Sequence, residues 1–376
     1  MKVLFIIQGE GRGHLTQAIT LEGILRRNGY DVVEVLVGQS SSRSLPGFFN
    51  RSIKAPVKRF LSPNFLPTPA NRRVSLTRSV AYNLLRLPAY VRSMQYINRR
   101  IRETEAELVI NFYELLTGLT YCFFRPPVPQ VCIGHQYLFL HPEFHFPQKS
   151  GWSLFLLRFF TRLTCIGACR RLALSFRPMD DSPSSRIRVI PPLLRPEVLA
   201  CESEKGDYLH GYLLNAGFAQ DVLGWHQRYP RVPLHFFWDK PGEEETCCMD
   251  DTLTFHQIDD MKFLRYMSGC RAYATTAGFE SVCEAMYLGK PLLMVPAHIE
   301  QDCNAYDAAL TGAGIVADSF DLQRLLDFEQ GYRPNAEFRY WVRSAERIIL
   351  DALEEVAHSG RFPLGVPYEY CNRFEI

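Results

Sequence analysis

Residues 3–7, Val-Leu-Phe-Ile-Ile, form an unbroken apolar run of the kind a strand buried on both faces requires. A glycine-rich turn follows over 9–14. Ala18, Leu21 and Leu25 then recur at helical spacing over 16–28, with Gly29 as the stop. A second apolar run over 31–37 completes a β-α-β opening. Residues 40–80 carry Pro46, Pro56, Pro63, Pro67 and Pro69 and read as loop. A helix is predicted over 82–105 with a kink or break at Pro88. Strands are predicted over 107–111 and 128–133, helix over 150–172, and a closing strand over 187–190. Pro191, Pro192 and Pro196 read as a linker.

The pattern then restarts. Strands predicted over 212–217, 234–238, 253–256, 272–275, 291–296 and 314–316 alternate with helices over 221–229, 261–268, 281–288 and 304–310. One long helix is predicted over 337–357. The expected architecture is α/β, with two Rossmann-like doubly wound domains facing a cleft. The first spans 1–196, the second 197–345, and 346–376 forms a terminal helix and tail that returns to the first domain. Ligands in such sheets bind beyond the carboxyl ends of the strands, so the cleft is the expected active site.

Composition adds one asymmetry. The 376 residues are 47% apolar and 22% charged, which suits two packed cores. Net charge is only +2, yet residues 1–197 hold 27 Lys/Arg against 12 Asp/Glu, and the remainder hold 15 against 28. The halves therefore face different partners. Two acid-free basic stretches, 51–102 and 149–177, are interleaved with apolar residues. They fit a solvated helix face, an anionic membrane surface, or a polyanion, and nucleic acid is the least favoured partner. Eleven cysteines without CxxC pairing suit buried thiols in a reducing cytoplasm. No apolar run is long enough for a signal peptide or a membrane span.

Two segments carry chemistry. Gly9-Glu-Gly-Arg-Gly13-His14 fails the dinucleotide fingerprint, because His stands where the third glycine belongs, and it lacks the Lys-Ser/Thr of a P-loop. What remains is an imidazole at a helix N-terminus, where the dipole favours the neutral form a general base needs. The second segment is 275–305. Gly278 lies at a strand-to-helix turn, and the helix N-terminus at Glu280 and Ser281 offers N–H groups to a diphosphate. Glu284 lies one turn further, placed to accept ribose hydroxyls, and Glu300 and Gln301 follow the next strand. An ordinary strand-turn-helix-strand unit with surface carboxylates has the same pattern. Glu114 follows a first-domain strand and is a candidate partner for His14; a solvated loop carboxylate is the alternative. His135 and Gln136, with His141 and His145 beyond, are placed to line the acceptor cleft, and their spacing suggests no metal site.

The 275–305 segment resembles the donor-binding motif of GT-B glycosyltransferases, both the UDP-glycosyltransferase superfamily and the lipid-II-forming N-acetylglucosaminyltransferase. Glu284, Gly289 and Pro291 match the ribose-binding Glu and its Gly-x-Pro turn, and Glu300-Gln301 with Asn304-Ala305 match the donor-sugar segment. Residues 258–261 resemble the loop near the uracil. Asn215-Ala-Gly217 resembles the diphosphate-facing turn, and Gly-x-Gly-His the acceptor-side loop with its base. Two departures stand out: Glu280 replaces a small or amide residue, and Thr276-Ala277 replaces His-Gly or Gly-Gly.

The resemblance implies a metal-independent hexosyl or N-acetylhexosaminyl transferase. His14 and Glu114 would be catalytic, and Gly217, Gly278, Ser281, Glu284, Glu300, Gln301 and Asn304 would hold the donor. Gly13 and His135 would face the acceptor. The nucleotide sugar, UDP-linked by resemblance, is a co-substrate and no cofactor is expected. The acceptor is unnamed; the basic-apolar stretches suggest a lipid-linked or envelope acceptor and a peripheral position on the inner face of the membrane. A nucleotide-sugar epimerase on the same fold and a non-catalytic membrane or nucleic-acid module remain as alternatives.

Overall fold

The computed structural model describes residues 1–40, 45–63, 83, 85–148, 151–214, 216–240 and 244–359. Asn215, much of the 51–102 stretch, Lys149 and the tail from 360 fall outside them. Two seven-stranded sheets stand one after the other in the chain. The first runs in the order β3-β2-β1-β4-β5-β6-β7. Its strands are β1 (Lys2–Gln8), β2 (Asp31–Gln39), β3 (Val57–Leu61), β4 (Leu108–Phe112), β5 (Gln130–Gly134), β6 (Ala168–Leu174) and β7 (Ile187–Ile190). All pair in parallel.

The second sheet runs β10-β11-β9-β8-β12-β13-β14. Its strands are β8 (Leu209–Leu213), β9 (Leu234–Trp238), β10 (Thr246–Cys248), β11 (Leu253–Gln257), β12 (Ala272–Thr275), β13 (Leu292–Met294) and β14 (Gly314–Val316). Only β10 is antiparallel, at the edge against β11. This is the expected pair of doubly wound α/β domains. The central strands β1 and β4 are buried along nearly their whole length, which is why Val3–Ile7 is a continuous apolar run and why Asn111, the polar residue of β4, is satisfied internally by the Thr164 carbonyl at 2.8 Å.

Several local expectations change. Pro88 does not kink a helix; it stands in the first turn of Leu87–Glu103, where its missing N–H costs nothing. Helix does not extend over 150–172: Gly151–Thr164 ends, and β6 begins at Ala168 with two arginines inside it. The proline-rich 40–80 region contains the helix Gly47–Ser52 and the edge strand β3. The predicted terminal helix is two, Ala336–Arg343 and Ala345–Ser359. The second packs back on β6 and β7 and ties to the first domain through Glu355 with Arg170 and Arg188 and Glu346 with Arg27. No helix among the described residues is long and apolar enough to cross a membrane.

The sheets share an apolar seam. His135, at the end of β5, stacks on Phe279 of the second sheet's helix Phe279–Tyr287 at 3.9 Å between centroids, and Phe176 packs against Phe279 at 4.8 Å. Cys303 joins the Tyr137–Phe139 cluster of the first domain. This seam fixes the mutual position of the loops that follow the strands.

Candidate active site

A cleft of about 710 Å³ opens beyond the carboxyl ends of both sheets. One wall carries Gly278, Glu280, Ser281, Glu284 and Gln301, with Asp259, Asp260 and Met261 from the N-cap and first turn of the helix Asp260–Gly269. The other carries Arg12, Gly13, Thr16 and Thr20 of the helix Arg12–Arg27, then Phe48, Arg51 and Lys54. Arg195, from the linker, closes the end. A second, more open hollow of about 800 Å³, lined by Glu143, His145, Arg177 and Tyr306, contains none of the proposed donor residues.

Most of the first wall comes from one helix. Gly278 is the N-cap of Phe279–Tyr287, so the first N–H groups of that helix have no intrahelical acceptor, and that of Glu280 is met by its own carboxylate. The unusual backbone falls one residue earlier: Ala277 has φ of 63°, the left-handed region, and bonds through its carbonyl to Asn304 Nδ2 at 3.2 Å. This is where Thr276-Ala277 departs from the glycine-bearing pattern. A Cβ at Gly278 itself would meet only Ser281 Oγ, at an ordinary 3.7 Å.

Glu284 is buried and gripped by Arg195, with Nε to Oε1 at 2.8 Å and Nη2 to Oε2 at 3.4 Å. Burial raises the Glu284 carboxyl and Arg195 pulls it back. Gln301 lines the cleft and accepts Ala297 N–H at 2.9 Å. Asn304 lies in the seam rather than on the cleft wall. Gly217 lies in the short 3-10 turn Ala216–Phe218 before Ala219–Arg228 and is not among the lining residues.

His14 sits in the first turn of Arg12–Arg27 and is 9% exposed. Its ring stacks on Tyr113 at 5.6 Å, and Tyr113 itself takes φ of 61°. Burial lowers the imidazole pKa, against the upward pull of Glu300 and of Gln17, whose Oε1 is 3.4 Å from Nδ1. Glu300 accepts from Gln136 Nε2 across the domains at 2.9 Å. Glu300 is thus close enough to act on the imidazole, although neither it nor His14 is among the residues lining the cleft.

Two expectations need correction. The hydrogen-bond partner of His14 is Gln17, not Glu114. Glu114 is the N-cap of Leu115–Phe124 and accepts from Leu116 N at 3.0 Å and Ser62 Oγ at 2.6 Å, wedged against Gly38. His135 does not face an acceptor space: it is 1% exposed, bonds the Leu174 carbonyl at 2.7 Å, and packs the seam, where burial pushes it down to about 4. His141 is likewise buried, its Nε2 3.0 Å from the Asp180 carbonyl. Sequence reasoning passed over Arg12, Gln17, Arg195 and Tyr113, and set Gln136 toward the acceptor, where it instead bonds Glu300. Gln17 carried a signal, since three residues after His14 places it on the same helix face.

The charge asymmetry acquires a location. Arg12, Arg51 and Lys54 of the first domain face the acidic second domain across the cleft, and Arg12 reaches Asp260 at 3.4 Å. The basic stretch from 51 is thus not one surface: Arg51 and Lys54 line the cleft, while Lys58 and Arg100 neutralise buried Glu34.

Burial raises Glu114 and Glu280 to about 7 and Asp307 to about 6. Folding then takes up protons at these sites, so their contribution to stability is lost as pH rises through those values. Buried His14, His135, His210 and His256 are lowered, so theirs is lost as pH falls below the unfolded histidine value of about 6.5. The carboxyl loss therefore accrues between about pH 4 and 7 and stops there, so Glu114→Gln is expected to raise the thermal midpoint more at pH 8 than at pH 4. An equal effect of Glu114→Gln at the two pH values would contradict the assignment.

Among the described residues no group of three or more His, Cys, Asp or Glu is arranged to hold a metal ion. No curated protein matches the sequence. The solved structure of the glycotransferase of kitacinnamycin is similar, with a TM-score of 0.64 and 14% identity, over 95% of this chain and 98% of that one. UGT89C1 of Arabidopsis thaliana, solved with UDP-L-rhamnose, has a TM-score of 0.60 and 14% identity over 95% and 98%. UGT2 of Phytolacca americana, solved with UDP-2fluoro-glucose and pterostilbene, has 0.57 and 12% over 96% of each. These likenesses establish the GT-B fold. The family profile described as glycosyl transferase family 1 matches residues 1–330, and the chain belongs to that family.

Proposed function

We propose that this protein transfers a sugar from a UDP-linked donor to an acceptor hydroxyl, with acceptor binding assigned to residues 1–196 and donor binding to 197–345. The observation that carries the reading is the cleft's two-sided chemistry. A helix N-terminus at Gly278–Ser281 and the Glu284 carboxylate stand on one wall, cations on the other, and a buried, neutral imidazole stands in the first turn of the facing helix.

In the proposed step His14 removes the acceptor proton as the acceptor oxygen bonds the anomeric carbon. The bond from that carbon to the diphosphate breaks, and UDP leaves with the electron pair. Helix N–H groups after Gly278, with Arg12 and Arg51, offset the charge on the departing diphosphate. Glu284 holds ribose, and Glu300 and Gln301 orient the sugar. The nucleotide sugar is a co-substrate, and the reading assigns no step to a metal.

A thermal-shift screen of nucleoside diphosphates and their sugars tests this. A ligand at a hundred times its Kd is expected to add about 2.7 kcal/mol. No stabilisation by any of them would sink the donor site. Turnover of donor into an isomeric nucleotide sugar without acceptor would move the assignment to an epimerase.

For the acceptor we favour a lipid-linked molecule reached from the cytoplasmic membrane surface. The helix Gly151–Thr164 exposes Trp152, Phe155 and Phe159 (70%, 52% and 47%), which stack on one another along one face, and Arg162 is exposed near its end. Phe123, on the neighbouring helix Leu115–Phe124, is also exposed. Aromatics flanked by cations suit an anionic bilayer interface. Sedimentation with phosphatidylglycerol vesicles is expected to carry down the unaltered protein and to leave the Trp152→Ser, Phe155→Ser, Phe159→Ser variant in solution. Equal recovery of the two would remove the membrane assignment.

A further inference from the structure

Glu280 is the charge the donor reading leaves unexplained: a carboxylate in the first turn of the helix meant to receive a diphosphate. It does not point along that helix into empty space. Its Oε1 accepts from Gln17 Nε2, across the cleft. The room for it is left by Gly13, where a Cβ would stand 2.3 Å from Glu280 Oε2 and 2.6 Å from its Cδ. The other end of the same Gln17 amide, Oε1, faces Nδ1 of His14. His14, Gln17 and Glu280 thus form one line from the imidazole of the first domain to a carboxylate of the second. The 3.4 Å separation at the histidine is long, as such bonds often are before substrate binds.

An amide has a donor end and an acceptor end, so it transmits direction. An ionised carboxylate only accepts. Ionised Glu280 therefore draws the Gln17 NH₂ group toward itself and turns the amide oxygen toward His14. That oxygen also only accepts, so the imidazole proton is held on Nδ1 and the lone pair on Nε2, free to take a proton. A protonated Glu280 can donate to the amide oxygen instead, and the amide then reverses. Its NH₂ group now faces Nδ1 and shifts the imidazole proton to Nε2, where it blocks the base.

We infer that Glu280 is a positioning residue: acting through Gln17 it sets the tautomer of His14, so that the base is competent only when the donor-binding domain lies closed on the acceptor-binding domain with Glu280 ionised. The consequence for catalysis rests on the transferase reading; the tautomer itself does not. Glu300 and Glu284 are the charged groups acting on Glu280, and Glu300 acts on His14, with the Tyr113 ring stacked against it. Burial carries Glu280 to about 7 and His14 below its ordinary value, so His14 is still neutral where Glu280 titrates.

The test is ¹⁵N-histidine labelling of the full chain and long-range ¹H–¹⁵N spectra between pH 6 and 8.5, with His14 assigned by its loss in His14→Gln. At pH 8.5 the unaltered protein is expected to show a protonated Nδ1 and a bare Nε2, and on acidification to move toward the Nε2–H form before a second proton adds. Glu280→Gln, whose side chain suits both amide orientations, should show a mixture of tautomers independent of pH. Gly13→Ala should do the same by pushing the carboxylate off Gln17 while leaving all three polar groups intact. One tautomer ratio common to the three proteins, or an Nε2–H form in the unaltered protein at pH 8.5, would overturn the inference. A protein that binds no nucleotide yet shows the Glu280-dependent tautomer supports the positioning role and removes only the donor reading.

Discussion

His14→Ala is expected to slow UDP release from the donor by about 10²- to 10⁴-fold, the usual contribution of a positioned general base. Hydrolysis of the donor by water is a sufficient readout, because water also loses a proton as it attacks. The size of the effect follows from the surroundings of the ring. Tyr113 covers one face, Gln17 holds Nδ1, and Glu300 adds a negative charge that steadies the imidazolium once formed. Burial outweighs both and keeps the ring neutral at and somewhat below neutral pH. The rate should therefore lose its acid limb together with its height in His14→Ala. UDP release at the unaltered rate would remove His14 from the reaction.

Glu284→Ala is expected to act on both stability and affinity, for separable reasons. Arg195 and Glu284 are 15% and 7% exposed and share two hydrogen bonds. Truncating one partner strands the other charge away from water, at a cost of about 3 kcal/mol. Asp260, whose carbonyl Arg195 reaches at 3.4 Å, and Glu197 soften that cost. Independently, loss of the carboxylate removes one or two ribose hydrogen bonds, roughly 1–3 kcal/mol of nucleotide affinity. The double change Arg195→Met with Glu284→Met separates the effects, since it removes both charges at once. It should recover most of the midpoint while UDP affinity stays low. Recovery of both would show that Glu284 serves the linker and not the ribose.

The apolar runs determined the strand cores and their parallel pairing, because a strand buried on both faces is predominantly apolar and needs no partner to be recognised. That Gly278, Ser281, Glu284 and Gln301 share one edge was legible for a related reason: spacing along two successive strand-turn-helix units fixes which side chains meet there. Local signals failed where a neighbour overrode them. Arg170 and Arg171 sit inside β6 because Ser185 and the terminal helix's Glu355 receive their guanidinium groups, and β3 forms because β2 offers an open edge.

The donor segment's one anomaly marks the boundary. From the sequence, Glu280 is a charge misplaced beside a phosphate. Only the tertiary structure, which brings Gln17 and Gly13 from 263 and 267 positions away, makes it the far end of a line to His14. Periodicity records what each residue does to its own element. It carries no record of which charge another domain sets opposite it, because that meeting is decided by how the two sheets pack along the Phe279–His135 seam.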